Sequence, residues 1–388
     1  MLVLILLLIL IQFGDSFCAE LYDKVQSLYL KDLLMVPKNM ELEEATVLLN
    51  SAAIPFCVIS ALAPVSRVLV DYIGKKKVML LSMAVLVIGC VICVFTNNWL
   101  VFLFGSALVA FGCSVDMQYI YIVDEIKANF RGTVRGVLAA VAALAGMTVA
   151  FVRNPNWRSL YIIGLIMVTV IIIISILLLP KGKLKDKEVK KEKVKEVKIS
   201  GLKENFVYLL PLFIWGIGVA GVTFYNEPIV AMTLESEDRI QLAMIIQPLV
   251  TTLITFISGF LSDRLTRKKV IFGDIIITLA GTVVFVMTAI INLASPVLFG
   301  MGWGMMIGGF FGATNLMLLV VTENAPAERI GRVSALSSYF NGAGTGVGMV
   351  LVSILGNIFS TGISKLLIIT SVAVITILLI VFQKKRAS

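Results

Sequence analysis

The stretch GFLSDRLTRKK, residues 259–269, separates two long apolar runs and has an echo in the first half of the chain. The echo is RVLVDYIGKKK, residues 67–77, which also stands between two apolar runs. The aspartates of the two copies are 192 residues apart, and a second matched pair, Arg131 and Arg329, is 198 residues apart. Two matched pairs at nearly one offset indicate that a unit of about half the chain is duplicated.

Composition places this duplicated unit in a membrane. Hydrophobic residues make up 59% of the 388 positions, charged residues 15%, and mean hydropathy is +0.99. A soluble domain carries ~25% charged residues, and hydrophobicity this high excludes disorder. The 5 Cys are too sparse for an extracellular disulfide scaffold. The chain has no His, so protonation chemistry must rest on carboxylates.

Twelve apolar runs are long enough to cross a bilayer, and we number them spans 1 to 12. They lie at about 1–23, 44–65, 78–96, 99–123, 136–152, 158–179, 205–227, 240–261, 270–291, 295–320, 333–356 and 364–382. The sequence therefore predicts an all-α polytopic membrane protein built from two pseudo-symmetric six-helix bundles. The predicted domains are an N-terminal bundle at 1–180, a cytoplasmic basic linker at 181–204 and a C-terminal bundle at 205–388.

The distribution of basic residues predicts the orientation. Placing both termini in the cytoplasm puts 26 of the 33 Lys and Arg on the inside and 7 on the outside. We therefore expect an integral protein of the plasma membrane with cytoplasmic termini. The net charge of +9 points to anionic lipid rather than to nucleic acid as the charged partner. A small-molecule substrate and membrane lipid are the expected partners, and a monomer the expected state. The linker is interpreted as a solvated tether, with a lipid-headgroup sensor as the alternative.

The repeated loop resembles the signature loop of the major facilitator superfamily, approximately Gly-x-Leu-Ala-Asp-Arg-x-Gly-Arg-Arg/Lys. The second copy matches it at Gly259, Leu261, Asp263, Arg264, Arg267 and Lys268, with Thr266 in place of a glycine. The first copy keeps Leu69, Asp71, Gly74, Lys75 and Lys76, but has Arg67 and Tyr72 where glycine and arginine are expected. The resemblance implies a transporter in which spans 1, 4, 7 and 10 line a cavity, with spans 2, 5, 8 and 11 beside them. Motifs of individual subfamilies are mostly missing, so no subfamily is assigned.

The chemistry of the loop predicts a gate. An Asp at a cytoplasmic helix end accepts hydrogen bonds from neighbouring helix ends and pairs with Arg or Lys, forming a latch that must break when the protein changes state. We expect the two loops to latch an outward-open state, the alternative being ordinary basic loops. The predicted gating residues are Asp71, Gly74, Lys75, Gly259, Asp263, Arg264 and Arg267.

Polar residues within the spans predict the binding site. In span 1, Gln12, Asp15, Ser16, Glu20 and Asp23 recur every three or four residues and form one helical stripe. Carboxylates cannot face lipid cheaply, so this stripe must face a cavity or be paired with a neighbouring helix. The candidate substrate- or proton-binding residues are Asp15, Asp116, Glu20, Glu227, Gln12, Tyr119, Gln247, Trp303, Asn315 and Asn341. No metal ligands or catalytic residues are predicted.

The charged groups predicted to lie within the spans are carboxylates. No deep Lys or Arg is predicted, which argues against anionic substrates. Spans 3, 6, 9 and 12 are almost purely apolar and are expected to be outer helices that face lipid.

These observations lead to three functional hypotheses. The first is a proton-coupled secondary transporter that works by alternating access and exports a lipophilic or cationic compound, with Asp15 and Asp116 as coupling carboxylates. The second is an uptake permease or facilitator for a small neutral solute. The third, of another class, is a non-transporting sensor or assembly protein. No catalytic triad, phosphate loop or metal cluster is present in the sequence, so an enzyme and a cofactor are not expected; the proton gradient is the expected driving force.

Overall fold

The computed structural model describes most of the chain, and the described part contains helices and no strand. The described residues are 2–41, 45, 48–49, 52, 59, 62–151, 156–180, 200–223, 226–234, 236–325, 330–358 and 361–382. Most of the predicted linker and most of span 2 lie outside these residues.

Thirteen helices of eight or more residues make up this part of the structure. They are α1 Leu2–Lys24, α2 Lys75–Phe95, α3 Trp99–Ser114, α4 Gln118–Glu125, α5 Arg131–Phe151, α6 Trp157–Leu178, α7 Ser200–Thr223, α8 Asn226–Leu234, α9 Glu237–Arg264, α10 Arg267–Ile290, α11 Pro296–Glu323, α12 Ile330–Ile358 and α13 Thr361–Phe382. Short helical turns cover Gln26–Lys38 and Ala63–Ile73.

Nine segments of the described chain are long and apolar enough to cross a membrane. They correspond to predicted spans 1, 3, 4, 5, 6, 8, 9, 10 and 12, with α3 and α4 together forming span 4. Spans 7 and 11 correspond to the helices α7 and α12. The predicted all-α polytopic architecture is therefore confirmed.

The chain divides into two compact units. Unit 1 comprises Met1–Tyr121 with Val141–Leu184, and unit 2 comprises Ile122–Ala140 with Lys185–Ser388. The segment Ile122–Ala140 thus belongs with the second unit, although it lies in the first half of the sequence. The domain boundaries inferred from the sequence stay a prediction.

Unit 1 is held together by a glycine contact and an aromatic cluster. A Cβ atom built on Gly14 of α1 would lie 2.8 Å from the Ile171 side chain of α6, so glycine lets these helices approach closely. At the other end of α6, Trp157 packs edge-on against Phe102 with ring centroids 5.2 Å apart. The Trp157 indole N–H donates to Asp32 Oδ2 at 2.8 Å, so the buried ring keeps a polar partner.

The duplication suggested by the loops also appears in helix packing. In unit 1, a Cβ atom on Gly89 of α2 would lie 2.7 Å from the Gly105 carbonyl oxygen of α3. In unit 2, a Cβ atom on Gly281 of α10 would lie 2.8 Å from the Gly302 carbonyl oxygen of α11. The two crossings are related by offsets of 192 and 197 residues, close to the offset of the loop aspartates. The two halves therefore repeat the same close backbone contact.

The outward faces of several spans are strongly apolar. On α6, Ile162, Ile166 and Ile173 are 41%, 60% and 56% exposed, and α10 exposes Ile276 at 60%. Large apolar side chains of this kind are stable against hydrocarbon rather than water. These faces agree with the prediction that spans 6 and 9 have lipid-facing surfaces.

Candidate functional site

Asp15 and Asp116 lie close to each other in unit 1. Both side chains are partly buried, and the charge of Asp116 acts on the Asp15 carboxylate. Gln118 Nε2 donates to Asp15 Oδ2 at 3.4 Å. The Cys113 thiol donates to the Asp15 backbone oxygen at 3.1 Å, which ties α1 to the end of α3. Two carboxylates and one amide thus form the polar centre of this unit.

Span 4 is broken at Asp116. Helix α3 ends at Ser114, α4 begins at Gln118, and Asp116 between them has φ of 37°. A positive φ is uncommon for a residue other than glycine and is typical of functional positions in which surrounding structure holds strain. The break leaves backbone carbonyls at the end of α3 without helical partners.

Arg67 supplies partners for those carbonyls. Its guanidinium donates from Nε to the Val115 oxygen and from NH2 to the Ser114 oxygen, the latter at 3.3 Å. A cation at a helix C-terminus also interacts favourably with the helix dipole. The Arg67 side chain is only 3% exposed. Sequence reasoning missed the roles of Arg67 and Gln118; the replacement of the motif glycine by Arg67 was the available signal.

The remaining predicted residues of unit 1 have separate surroundings. A Cβ atom on Gly146 of α5 would lie 3.1 Å from Glu20 Cδ, so the Glu20 side chain packs against α5. Gln12 Nε2 donates to Ser16 Oγ at 2.9 Å within the α1 stripe. Tyr119 is buried at 1% exposure on α4. The α1 stripe therefore contacts its own helix and α4 and α5 rather than forming one continuous row of binding groups.

Three of the predicted residues of unit 2 lie in the middle parts of two helices, Gln247 on α9 and Trp303 and Asn315 on α11. Gln247 Nε2 donates to Thr251 Oγ1 at 3.1 Å, and Thr251 donates to the Gly304 oxygen at 3.2 Å. The Trp303 ring lies 6.3 Å from the Phe285 ring, and its indole nitrogen is buried with no hydrogen-bond acceptor among the described residues. Asn315 Oδ1 accepts a hydrogen bond from Arg135 NH2 at 3.0 Å.

Asn341 and Glu227 lie apart from that group. A Cβ atom on Gly216 of α7 would lie 3.1 Å from Asn341 Oδ1, so Asn341 of α12 faces α7. Glu227 is in the first turn of α8, and its side chain lies outside the described part of the structure. The structure thus brings together Asp15 with Asp116, but leaves most other candidate residues in separate local contacts.

The second copy of the loop makes the contact expected of a latch. A Cβ atom on Gly259 of α9 would lie 2.5 Å from both the Gly132 oxygen and the Gly136 Cα of α5. Asp263 accepts hydrogen bonds from the backbone N–H groups of Gly132 at 2.8 Å and Thr133 at 2.6 Å. Gly259 therefore permits the crossing, and Asp263 caps the first turn of α5.

An ion cluster surrounds this crossing. Glu323 at the end of α11 pairs with Arg267 and, at 3.2 Å, with Arg131. Arg131 also donates to the Val123 and Ile126 oxygens at 2.5 and 2.9 Å. Arg264 differs from the others because it is exposed, with its guanidinium 4.1 Å from the centre of the Phe260 ring. The crossing ties Ile122–Ala140 to the rest of unit 2.

The first copy of the loop has a different local structure. Asp71 lies in a short helical turn, and Gly74 follows with φ of 86° and ψ of 152°, a conformation that favours glycine. Lys75 begins α2 and is only 4% exposed, with its ammonium group 4.9 Å from the centre of the Tyr121 ring. Gly74 therefore sets the turn, and Lys75 binds an aromatic face.

Two basic residues that the sequence analysis did not place in the protein interior are buried near the first turns of their helices. Lys365 of α13 is 1% exposed, and its ammonium group donates to the Gly221 oxygen at 2.9 Å and to Asn226 Oδ1 at 2.7 Å. Arg135 is 8% exposed. The argument against anionic substrates therefore loses its premise. Spans 9 and 12, expected to be almost purely apolar, each contain one buried ionisable residue, Asp274 at 2% exposure and Lys365 at 1%.

Comparison with known proteins places these features in a family. The family model described as Major Facilitator Superfamily matches residues 41–349. The glucose transporter GlcP of Staphylococcus epidermidis is 22% identical to this chain, over 85% of the chain and 83% of that protein.

Solved structures share the fold at low sequence identity. The proton:xylose symporter XylE, solved with 6-bromo-6-deoxy-D-glucose, has a TM-score of 0.75 and 14% identity, covering 99% of this chain and 95% of that one. The human organic anion transporter MFSD10 (TETRAN) has a TM-score of 0.74 and 12% identity, covering 97% and 98%. The predicted fold of two six-helix bundles is confirmed. With a family model matched across most of its length, this chain belongs to the Major Facilitator Superfamily and is an integral membrane protein of the transporter class.

Proposed function

We propose that this protein is a proton-coupled secondary transporter in which Asp15 and Asp116 carry the coupling proton. The observation that supports this role is the juxtaposition of the two carboxylates, with Gln118 donating to Asp15 at the break in span 4. Two ionised carboxylates in a water-poor interior repel each other, and a proton shared between them removes that repulsion. Proton binding would therefore alter the preferred geometry of the break at Asp116.

Interruption of a membrane helix at a binding position is typical of secondary transporters. Here the break lies between α3 and α4, and Arg67 caps the end of α3. Arg67 itself belongs to the first copy of the repeated loop. The carboxylate pair and a predicted gating loop are thus joined through one side chain, which provides a physical route from proton binding to gating.

For the substrate we propose a small neutral solute with several hydroxyl groups. The amide group of Gln12 in unit 1 is a suitable partner for hydroxyl groups. GlcP and XylE, two proteins similar to this chain, carry glucose and xylose in their names. Uptake of such a solute was the alternative hypothesis from the sequence. Export of a lipophilic or cationic compound stays a prediction, and it is the competing outcome of the experiment below.

The proposal includes the plasma membrane, cytoplasmic termini and a monomer, all as predicted from the sequence. In this orientation the crossing of α5 with α9 lies at the cytoplasmic end of the spans. Alternating access would require the Asp263 contacts to form and break during each cycle.

The test uses the full-length protein in proteoliposomes with an imposed pH gradient. Radiolabelled glucose, xylose and fucose are one set of probes, tetraphenylphosphonium is a cationic probe and p-aminohippurate an anionic one. We expect gradient-dependent accumulation of a sugar, and loss of that dependence with retained counterflow in Asp15→Asn combined with Asp116→Asn. Asp238→Asn, which removes an exposed carboxylate, is the matched control.

Three results would contradict the proposal. Gradient-driven flux that survives the double substitution would remove the coupling role of this pair. Transport of the cation or the anion with no sugar transport would overturn the substrate class. Absence of binding and flux for every probe would favour the non-transporting alternative.

A further inference from the structure

Asp274 is a buried acid for which the proposed coupling pair has no use. It lies on α10 at 2% exposure, in a span that otherwise reads as an apolar outer helix. Ser258 of α9 donates a hydrogen bond to Asp274 Oδ1. Asp274 Oδ2 is buried with no hydrogen-bond donor among the described residues, and a Cβ atom on Gly312 of α11 would lie 2.8 Å from it. The acid is therefore enclosed by α9, α10 and α11.

The duplicated helix pair shows that this acid is specific to the second half. Subtracting the offset of 192 places Ser82 of α2 at the position of Asp274. Ser82 is also buried, and its hydroxyl donates to the Met79 oxygen of its own helix. A Cβ atom on Gly112 would lie 2.9 Å from the backbone oxygen of Ser82. Likewise, a Cβ atom on Gly309 would lie 2.5 Å from the backbone oxygen of Asp274. The packing is thus repeated while the polar group has changed.

A small polar cavity lies on the other side of Ser258. It is lined by Arg135, Gly136, Thr255, Ser258, Gly259, Gly312, Asn315 and Leu316. The cavity has room for about one water molecule, and its lining offers the two to four polar partners that a buried water requires. Ser258 and Gly312 therefore separate Asp274 from a space that also contacts Arg135.

The same cavity touches the α5–α9 crossing. Gly136 and Gly259, which line it, are the residues whose backbones meet at that crossing. Arg135 stands next to Gly136 and donates to Asn315 of α11. A change in the charge at Asp274 would act across this cavity on the Arg135 guanidinium, and so on the start of α5.

We propose that Asp274 is a second proton-binding site, which receives its proton through Ser258 and controls the crossing of α5 with α9. A proton that reaches the cavity as hydronium passes to Ser258 Oγ while the Ser258 hydroxyl proton passes to Asp274 Oδ1, which leaves a neutral water, an unchanged serine and a neutral carboxylic acid. Ionised Asp274 attracts Arg135 and holds α5 in place. Protonated Asp274 loses that attraction and the crossing loosens.

Other charged groups on the surrounding elements must be distinguished from Asp274. They are Arg131 and Arg135 on α5, Glu237, Asp238, Arg239, Asp263 and Arg264 on α9, Arg267, Lys268 and Lys269 on α10, and Glu323 on α11. All but Arg135, which lies in the second turn of α5, are in the first or last turn of their helices. Only Arg135 shares the cavity with Ser258.

The experiment measures the crossing directly. Spin labels are attached to cysteines introduced at Lys127 and Leu265, two exposed positions that flank it, in a chain whose native cysteines are replaced. Pulsed electron–electron double resonance then gives the distribution of distances between the two labels. From it follows the ratio of molecules in which α5 and α9 are separated to molecules in which they are joined. We expect acidification to raise this ratio in the parent protein by about 5- to 150-fold, the usual range of coupling between two sites. Asp274→Asn should give the raised ratio at neutral pH and remove its pH dependence.

Ser258→Ala and an infrared measurement keep the proposal falsifiable if Asp274→Asn does not fold. A pH-difference infrared spectrum of the parent protein should contain a carboxylic-acid C=O band that shifts to higher frequency in Ser258→Ala. Where Asp274→Asn folds, the band should be absent from that variant. Asp238→Asn should leave both the band and the label distances unchanged. A parent-like pH response in Asp274→Asn, or an unshifted band in Ser258→Ala, would overturn the proposal.

The inference goes beyond the proposed function and fails separately from it. Loss of the label response in Asp15→Asn with Asp116→Asn, combined with its retention in Asp274→Asn, would reject this site and leave the coupling pair intact. The reverse result would support this site whatever the role of the pair.

Discussion

Asp263 provides the sharpest test of how the second loop holds α5. Its carboxylate accepts two backbone N–H bonds, from Gly132 at 2.8 Å and Thr133 at 2.6 Å. A hydrogen bond to a charged group contributes about 1.5–3 kcal/mol, and a helix N-cap about 0.5–2 kcal/mol. The crossing lies at helix ends, where water can replace part of each bond. Because of this partial replacement we expect Asp263→Ala to cost the joined arrangement about 2–3 kcal/mol in total, at or below the roughly 3 kcal/mol minimum for two fully buried bonds of this kind.

That free energy corresponds to a large change in population. At 1.4 kcal/mol for each tenfold change, the separated-to-joined ratio should rise about 30- to 150-fold in Asp263→Ala. Asp263→Asn keeps one carbonyl acceptor without the charge, so its effect should be roughly half in free energy, about 5- to 12-fold. The labels at Lys127 and Leu265 measure both ratios in the full-length protein.

Arg264→Ala is the matched control because Arg264 is the exposed neighbour whose contact is with the Phe260 ring of its own helix. It should leave the ratio within about twofold, the effect of an ordinary surface substitution. If Asp263→Ala changes the ratio less than threefold while thermal unfolding is unchanged, the two hydrogen bonds do not hold the crossing and the reasoning is wrong.

Two further predictions concern local stability and use thermal unfolding in detergent. Gly74→Ala should destabilise unit 1 by about 1–3 kcal/mol, because the backbone conformation of Gly74 suits only glycine. The control Gly273→Ala should have little effect, because a Cβ atom at Gly273 would meet nothing within 4 Å. Equal effects of the two substitutions would contradict this reasoning. Lys365→Met should destabilise the contact between α7 and α8 by about 1–3 kcal/mol for each acceptor left unpaired, at Gly221 and Asn226. Lys365→Arg should recover part of this loss. A parent-like melting temperature for Lys365→Met would show that these hydrogen bonds do not stabilise the protein.

The helices could be predicted from the sequence because lipid demands a long apolar run for each span. The limits of α2, α6 and α9 to α13 fall within a few residues of the predicted runs. The sequence also singled out Gly259 and Asp263, which both contact the start of α5, while their role as a gate stays a prediction. Their partners were not singled out, since the backbone N–H groups of Gly132 and Thr133 carry no signal in the sequence.

The polar interior was harder to predict for a specific reason. Hydropathy averages over a window, so a single ionisable residue in a strongly apolar run is easily overlooked. Asp274 is followed by three isoleucines, which hid this acid, whereas Lys365 was counted among the outside basic residues and only its burial was not foreseen. The break at Asp116 depends on backbone geometry and on Arg67, 49 positions earlier in the chain. Such a distant partner is visible only in three dimensions.

The arginine at position 67 has a consequence for the symmetry of the transporter. In the second loop the corresponding residue is Gly259, which has no side chain and lets two backbones touch. In the first loop the Arg67 side chain occupies that place and donates hydrogen bonds to the backbone oxygens of Ser114 and Val115 at the end of α3. The equivalent position is thus a close backbone contact in one half and a buried, hydrogen-bonded arginine in the other. Replacing Arg67 by glycine would restore the residue that the family motif has at this position, but it would remove the hydrogen bonds to Ser114 and Val115. The two loops therefore cannot be exchanged for each other.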